Sequence, residues 1–510
     1  GSRVATPRHR MELSGIGATT LLFVLVIYAA TLVSIGWFAG RKIESAEDFL
    51  LAGRSVPLGL SILSLLATWF GSSAILGATR TSYEHGLHGT VLEPFACAAT
   101  LTLTGLVFAA PLWKRQVATV ADLFRERMGR SAEWISCLIQ VPTFFCWIGA
   151  QYLSIGALVE TYLGLPSWIG AIGSCVVVLV VLRAGGMWAV TWTNSLLVAV
   201  SIASVVILFF GTASTLGGGS IAEGVRRVLS ETPRDQLTFF PDFRLPTILA
   251  VLGVFLTGLL GNIPGQDLQQ RVLSATSPRV AAWSCVISSI IYLAIGLIPV
   301  YVGLAAKLHL PDRITEADVR GDQVLPIAAP YFLSEPLVIV LVVGLISVNL
   351  AVAASSTISQ TTILDRNVLG FLRRNDNSRP NYEKGCVLVV SIGSLLAAFS
   401  GNSIMGLLEI SLVLVMVSLF VPMCICLFAK HVAPWAGVAS MLAGAAVWGG
   451  HTAVETWMQR ATNIAMEPAS ENSALACYLG VPAEIQGLAA SFLMAVIVQC
   501  WSRTPRATTR

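Results

Sequence analysis

The sequence is short of charge. Only 12% of its 510 residues are Asp, Glu, Lys or Arg, against about 25% in a typical soluble domain, and the mean hydropathy is +0.75. With 32 basic and 28 acidic residues, the net charge is only +4, so there is no basic field to hold a polyanion. These shortages exclude a soluble enzyme, a disordered chain and a nucleic-acid-binding protein, and they indicate a polytopic membrane protein.

Motifs for metal binding and for nucleotide hydrolysis are also missing. The cysteines form no CxxC pair and no Cys/His cluster with metal-ligand spacing. No GxxxxGK(S/T) loop is present, so ATP-driven transport has no support. The polar stretches are too short to fold separately. We therefore expect one membrane domain over residues 1–510, with no enzymatic activity, no cofactor, and no nucleic-acid or obligate protein partner.

Thirteen stretches are apolar enough to cross a bilayer as helices, which takes about 20 residues each. They are 15–40, 56–83, 88–113, 132–163, 165–183, 188–212, 245–271, 279–306, 324–364, 382–400, 403–428, 433–450 and 484–501. The ninth is too long for one span, and Pro326, Pro330 and Pro336 predict a short helix followed by a span near 337–364. The distribution of Lys and Arg predicts a multi-pass protein of the cytoplasmic (plasma or inner) membrane, with the N-terminus outside and the C-terminus inside.

Two of the predicted spans are interrupted. The second has Gly71-Ser72-Ser73 at its centre, and the seventh has three glycines, one proline and one asparagine within 258–265. A broken helix frees backbone groups that are tolerated only where they line a cavity, and transporters bind ions and substrates there. The alternative is close helix packing through small residues.

The spacing of the two breaks suggests a repeat. Each break opens a group of five spans, which predicts two inverted five-helix repeats, over 56–212 (spans 2–6) and 245–428 (spans 7–11). The first helix, 15–40, and the last two, within 433–501, are then peripheral.

Aromatic and acidic side chains mark further candidates. Trp69 lies beside the first break, and Trp147 and Gln151 lie in the fourth span; such rings cap a substrate or cage a cation, unless they only pack in the core or against lipid. The acids in or near spans are candidate proton sites, unless they are solvated at the interface: Glu93, Asp267 and Glu409.

Six motifs follow one another from about residue 40 to 430. They are Ala46-Glu47-Asp48-Phe49-Leu50-Leu51-Ala52-Gly53-Arg54, the stretch from Ala67 to Gly77, Gly185-Gly186 with Val190-Thr191-Trp192-Thr193-Asn194, Gln270-Arg271-Val272-Leu273-Ser274, Asp322-Gln323-Val324-Leu325-Pro326, and the end of the ninth span before Arg366-Asn367. In this order they resemble the sodium:solute symporter family, nearest its high-affinity choline transporter branch.

The resemblance implies an all-α, leucine-transporter-type fold with inverted five-helix repeats, and sodium-driven uptake by alternating access. In the choline branch, aromatic rings cage the substrate; Trp69 and Trp147 stand at two of the cage positions, and Cys97 and Gly265 stand at the other two. Together with the two breaks, this gives a candidate substrate site of Trp69, Gly71, Ser72, Ser73, Trp147, Gln151, Gly261, Asn262 and Gly265.

The resemblance also implies a sodium site. Its backbone carbonyls fall at Ala67 and Phe70, but the hydroxyl pair falls, without gaps, at Ala351 and Val352, which carry no side-chain oxygen. Ser355 and Ser356, about one turn further on, are the alternative hydroxyls. Asn194 stands where the family motif has an acid.

We therefore predict a secondary transporter in a lipid bilayer that couples Na⁺ to the symport of a small polar organic solute. A proton-coupled or sodium-independent carrier with the same fold is the alternative. A transporter-like sensor is the less expected one, because it needs an output domain or a partner.

Overall fold

The computed structural model describes residues 15–41, 52–310, 323–370, 381–400, 404–462 and 481–502. Within these ranges the chain forms nineteen α-helices and no β-strand. In chain order, α1 to α19 are Gly15–Gly40, Leu58–Trp69, Ala78–His85, Cys97–Leu103, Ala109–Lys114, Val120–Met128, Arg130–Leu163, Ser167–Leu216, Ile221–Glu231, Leu245–Gly261, Gln266–Ser274, Pro278–His309, Val324–Phe332, Glu335–Ile363, Asn381–Ser400, Ile404–Val415, Val421–Phe428, Pro434–Thr462 and Ala483–Trp501.

Short π-helical segments extend several of these helices. They are Ser73–Gly77 before α3, Val91–Ala96 and Thr104–Phe108 around α4, Leu364–Val368 after α14, and Met416–Phe420 between α16 and α17. Among the described residues, nine helical stretches are long and apolar enough to cross a membrane, and a tenth is the pair α10–α11, which bends by 42°. Each of the thirteen predicted stretches lies on helix.

Two predicted spans, 165–183 and 188–212, lie on the single helix α8. The chain is kinked between them at Gly186, whose φ of 46° and ψ of −137° are outside the helical range. Such a positive φ favours glycine, which explains why a glycine occupies the kink.

The long ninth stretch is divided as predicted, into the short helix α13 and the long helix α14. Pro326 and Pro330 lie inside α13, and the helix ends only after Phe332. Leu333 and Ser334 are extended, and Pro336 lies in the first turn of α14, where a missing amide proton costs little.

Helix α14 lies at the centre of the described bundle. In the most apolar window of Glu335–Val368, 83% of the residues are buried, against 17% in α1 and 22% in α19. Large apolar side chains on these outer helices, such as Phe23 and Trp501, are exposed. Such surfaces suit lipid chains, and α1 and α19 lie at the periphery.

Small residues bring α1 and α8 close together. A Cβ atom added to Gly185 would lie 2.5 Å from the carbonyl oxygen of Gly36, and one added to Gly40 would lie 2.1 Å from the oxygen of Ala184. Helices within a bilayer gain little from the hydrophobic effect, so they associate through this kind of close backbone packing.

Candidate functional site

The first break lies between α2 and the segment Ser73–Gly77. Phe70, with φ −77° and ψ 78°, leaves the helical conformation. The amide of Gly71 consequently donates to the carbonyl of Trp69 (2.9 Å) rather than to that of Ala67, its partner in a regular helix. The carbonyl of Ala67, a predicted sodium ligand, is thereby released from the helix ladder.

Gln151 on α7 binds the far side of this break. Its Oε1 accepts hydrogen bonds from the hydroxyl (3.1 Å) and the amide (3.4 Å) of Ser72, while its Nε2 donates to the carbonyl of Trp147 (3.3 Å). A Cβ atom on Gly71 would lie 3.3 Å from Gln151 Oε1 and 3.1 Å from Val352 Cγ2. The absence of a side chain at Gly71 therefore lets α7 and α14 approach the break.

The second break lies between α10 and α11. Asn262 donates from Nδ2 to the carbonyl of Gly258 (3.1 Å), and its own carbonyl accepts from the amide of Gly265 (3.0 Å). Asp267, in the first turn of α11, accepts the amide of Leu268 at Oδ1 (2.8 Å). The break therefore ends in a carboxylate at a helix N-terminus, where the helix dipole favours a negative charge.

A narrow cavity, with room for about one water molecule in this conformation, lies against the second break. Its lining comprises Phe144, Trp147, Gly261, Asn262, Gly265, Asp267, Ser411, Leu412 and Val415. The structure thus brings together four residues of the predicted substrate site with one predicted proton site. The other predicted substrate residues lie outside the lining, at the first break: Trp69, Gly71, Ser72, Ser73 and Gln151.

Four lining residues were not among the predicted ones. Phe144 lies three residues before Trp147 on α7, so the helical period places both rings on one face, and this signal was available in the sequence. Ser411, Leu412 and Val415 come from α16. Nothing in the local pattern of that apolar helix distinguishes them from residues that face lipid.

The predicted ion site contains a hydroxyl at Ser355. Its Oγ accepts a hydrogen bond from Asn194 Nδ2 (2.7 Å) and lies 3.1 Å from the hydroxyl of Thr68, the neighbour of Ala67. Ala351 and Val352 are fully buried and apolar. Ser356 is also fully buried, and its hydroxyl interacts with the Asp267 carboxylate.

A guanidinium group lies beside these hydroxyls. Arg271 on α11 is buried, and it donates from Nε to Thr68 Oγ1 (3.1 Å) and from Nη1 to the sulfur of Met187 (2.6 Å). The resemblance included Arg271 in a motif without giving it a role. Its fixed positive charge disfavours a bound cation nearby, so the net charge of this region depends on the carboxylates around it.

The three predicted proton sites have different environments. Glu93 is buried, and its carboxylate accepts hydrogen bonds from Ser73 Oγ (3.0 Å) and from Tyr292 Oη (2.6 Å). Asp267 faces the cavity. Glu409 is exposed on the surface of α16, outside the cavity lining.

Neither Glu93 nor Asp267 takes part in an ion pair within 4.0 Å among the described residues. The same residues contain no group of three or more His, Cys, Asp or Glu side chains that could hold a metal ion. The region around the two breaks therefore has two buried carboxylates without a direct ion pair, although Arg271 acts electrostatically on Asp267, and such carboxylates are costly in a membrane interior.

Two of the six motifs lie partly outside the described residues, namely 46–51 of the first and Asp322 of the fifth. At the described end of the first motif, Arg54 donates from Nη2 to the carbonyls of Gln116 and Val117, each at 3.0 Å. This contact ties the start of α2 to the loop that precedes α6.

Comparisons with known proteins agree with this architecture. The model of the sodium:solute symporter family matches residues 49–444. High-affinity choline transporter 1 of Torpedo marmorata is 24% identical over 461 residues, which are 85% of this chain and 76% of that protein. The human protein of that name is 25% identical over 446 residues, 83% of this chain and 75% of its own. A sodium/glucose cotransporter of Vibrio parahaemolyticus is 26% identical over 306 residues, 57% of this chain and 56% of its own.

Among solved structures, a substrate-bound, outward-open Na⁺-coupled sialic acid symporter superimposes with a TM-score of 0.74 at 15% identity, covering 95% of this chain and 98% of that one. MHP1, a nucleobase-cation-symport-1 family transporter in a closed conformation, gives a TM-score of 0.56 at 13% identity, with 89% and 94% covered. At these identities the likeness concerns the fold, and it confirms the predicted leucine-transporter-type helix bundle.

Proposed function

The chain belongs to the sodium:solute symporter family, and on that premise we propose that it couples sodium entry to the uptake of a small organic solute that carries a positive charge. It is a multi-pass membrane transporter, as its family and its apolar helices indicate. We place its binding site at the residues that line the cavity against the second break. The observation that supports this proposal is the carboxylate of Asp267 in the same lining as the rings of Phe144 and Trp147.

The chemistry of that lining favours a cation. An ammonium group is attracted both to a carboxylate and to the faces of aromatic rings. Arg271 lies four residues after Asp267 on α11, but it donates to Thr68 and Met187 instead. Arg271 acts on Asp267 electrostatically but makes no direct bond to it, so the carboxylate remains available to a cationic solute, and the freed carbonyls of the break accept hydrogen bonds from the solute's other polar groups.

The relatives support the same solute class. Proteins named high-affinity choline transporter match more than four fifths of this chain, and choline is a quaternary ammonium compound. Two positions of the cage implied by that branch are Cys97 and Gly265 here, so two rings are missing. In place of the two missing rings, the carboxylate of Asp267 attracts the positive charge of the solute.

Binding in detergent solution tests the solute class. We expect choline to raise the melting temperature of the protein in the presence of sodium, because a ligand of the folded state stabilises it, while its uncharged carbon analogue 3,3-dimethyl-1-butanol does not. Asp267→Asn keeps the size of the side chain and removes its charge. It should weaken choline binding by about tenfold to a hundredfold, because it removes the ionic attraction to the quaternary ammonium, which has no proton to donate in a hydrogen bond.

Glu409→Gln is the matched control, because Glu409 lies on the exposed surface of α16. It should bind choline as the wild type does. Equal melting-temperature shifts for choline and its neutral analogue, or an unchanged choline affinity in Asp267→Asn, would contradict a cationic solute held by Asp267.

A proton-coupled carrier is the second candidate, and the environment of Glu93 favours it. Its buried carboxylate is held by Ser73 next to the first break and by Tyr292, whose hydroxyl lies 3.4 Å from the carbonyl of Trp69. A change in the charge of Glu93 therefore affects the first break through a single intervening side chain, that of Ser73 or that of Tyr292. In this mechanism an inward proton gradient drives uptake without sodium, and Glu93→Gln abolishes that uptake. A mutant that responds to the proton gradient like the wild type removes Glu93 from the coupling step.

For the orientation, we propose the N-terminus outside and the C-terminus inside the cytoplasmic membrane. The support is the excess of Lys and Arg in the loops that would then be inside. In this orientation the end of α14 at Arg366 faces the cytoplasm.

A further inference from the structure

Two amide side chains, Gln140 on α7 and Gln360 on α14, are fully buried. In the described part of the chain, neither the Nε2 nor the Oε1 atom of either side chain makes a hydrogen bond. A buried polar group without a hydrogen bond destabilises the fold, so these four atoms call for a functional explanation.

The helix contacts place the two amides at the same level. Helices α7 and α14 run antiparallel, because Ser154 Oγ accepts from Asn349 Nδ2 (3.2 Å) towards one end, while Cys137 and Ile363 share an apolar cluster towards the other. Gln140 lies three residues after Cys137, and Gln360 lies three residues before Ile363. Both are therefore about one helical turn from the Cys137–Ile363 contact.

The amides lie between that contact and the cavity. Phe144, which lines the cavity, follows Gln140 by four residues on α7, one turn further along the same face. Ser356, whose buried hydroxyl interacts with the cavity-lining Asp267, precedes Gln360 by four residues on α14. A row of polar groups thus leads from the candidate site towards the Arg366 end of α14.

A cluster of apolar side chains, the plug, ends the row of polar groups. Ala121, Cys137 and Ile363 are buried together, with Val141 and Val368 packed against them. Beyond the plug, Asn367 donates from Nδ2 to Asp122 Oδ1 (2.8 Å) and to Glu133 Oε1 (2.9 Å), and its Oδ1 accepts the hydroxyl of Thr119 (2.8 Å). These bonds fasten α6, which carries Ala121, to the end of α14.

We propose that Gln140 and Gln360 form a polar contact site on the route by which the solute leaves the cavity towards the Arg366 end of α14. This inference rests on the proposed transport function. When α6 separates from α14, the amides supply hydrogen bonds to a small polar solute and its hydration water. In the present arrangement the plug of Ala121, Cys137 and Ile363 separates them from that side.

Cysteine accessibility tests the route without any assumption about the solute. Gln360→Cys in the full chain, reconstituted in liposomes, is treated with the membrane-impermeant thiol reagent MTSET from one side at a time. Mass spectrometry of the individual peptides measures the labelling, so that labelling at position 360 is distinguished from labelling of the native cysteines. Ile358→Cys is the matched control, because Ile358 is equally buried on the same helix but belongs to the central apolar cluster.

We expect Gln360→Cys to be labelled from one side only, at least fivefold faster than Ile358→Cys. Adding Asn367→Ala, which removes the bonds that fasten α6, should accelerate the labelling further. Labelling of Gln360→Cys no faster than that of Ile358→Cys, in the Asn367→Ala background as well, would overturn the proposal. Gln140→Cys is the second variant if Gln360→Cys fails to fold.

A stability measurement separates the route from a structural role. Gln360→Leu replaces an unpaired amide by an apolar group of similar length, so the melting temperature should stay the same or rise. A clear fall in melting temperature would mean that Gln360 supports the fold and would contradict the proposal. Both readouts are independent of uptake, so a wrong solute or a wrong coupling ion leaves them unchanged.

Discussion

At the scale of single residues, the unusual feature is how the polarity around the candidate ion site is distributed. The family pattern places a hydroxyl pair where this chain has Ala351 and Val352, and an acid where it has Asn194. The structure brings in Ser355, which lies within hydrogen-bond distance of both Asn194 and Thr68. A sodium ion prefers oxygen ligands, and the carbonyl of Ala67, released from the helix ladder beside Thr68, is a candidate for such a ligand.

This arrangement predicts that Ser355 is a sodium ligand. Ser355→Ala removes one oxygen and should raise the half-saturating sodium concentration about tenfold, which corresponds to about 1.4 kcal/mol. Sodium-dependent thermal stabilisation measures the effect. Thr357→Ala is the control, because Thr357 is as deeply buried on the same helix but points about 160° away from Ser355 around the helix axis. Equal sodium dependence of the two variants would show that Ser355 does not contact the ion.

At the scale of helices, the breaks were predictable because they depend on local sequence. The second span has Gly71-Ser72-Ser73, and the seventh has glycines, a proline and an asparagine within 258–265. Such clusters weaken a continuous helix, and the structure interrupts both spans at or next to them. The contribution of α16 to the cavity was not predictable. It follows from how distant helices pack, and an apolar helix carries the same local pattern whether it faces a cavity or lipid.

The close contact between α1 and α8 gives a prediction at this scale. Gly185→Ala places a methyl group 2.5 Å from the backbone oxygen of Gly36, which cannot move aside without shifting α1. We expect a loss of about 1–3 kcal/mol in stability, as for other overpacked sites, measured by thermal unfolding in detergent. Gly173→Ala on the same helix is the control, since nothing lies within 4 Å of its added Cβ atom. Equal stability of the two variants would contradict the close packing of α1 on α8.

At the scale of the whole molecule, the low charge that identifies a membrane protein also indicates where function is located. Buried carboxylates are rare in such a chain, and Glu93 and Asp267 both lie near the two helix breaks. The sequence predicted both residues, but the hydrogen bonds of Glu93 and the exposure of Glu409 depend on tertiary packing. We propose Asp267 as the residue that binds the solute, and Glu93 as the proton site of the alternative coupling mechanism.

The measurement that tests sodium-coupled uptake most directly is the accumulation of radiolabelled choline in proteoliposomes containing the wild-type protein. The vesicles are given either an inward sodium gradient or an equal gradient of potassium, at the same pH on both sides. We predict that choline accumulates above its external concentration only with the sodium gradient, and that a sodium ionophore abolishes the accumulation. Equal uptake with sodium and potassium, or accumulation that follows only an imposed pH gradient, would contradict sodium coupling.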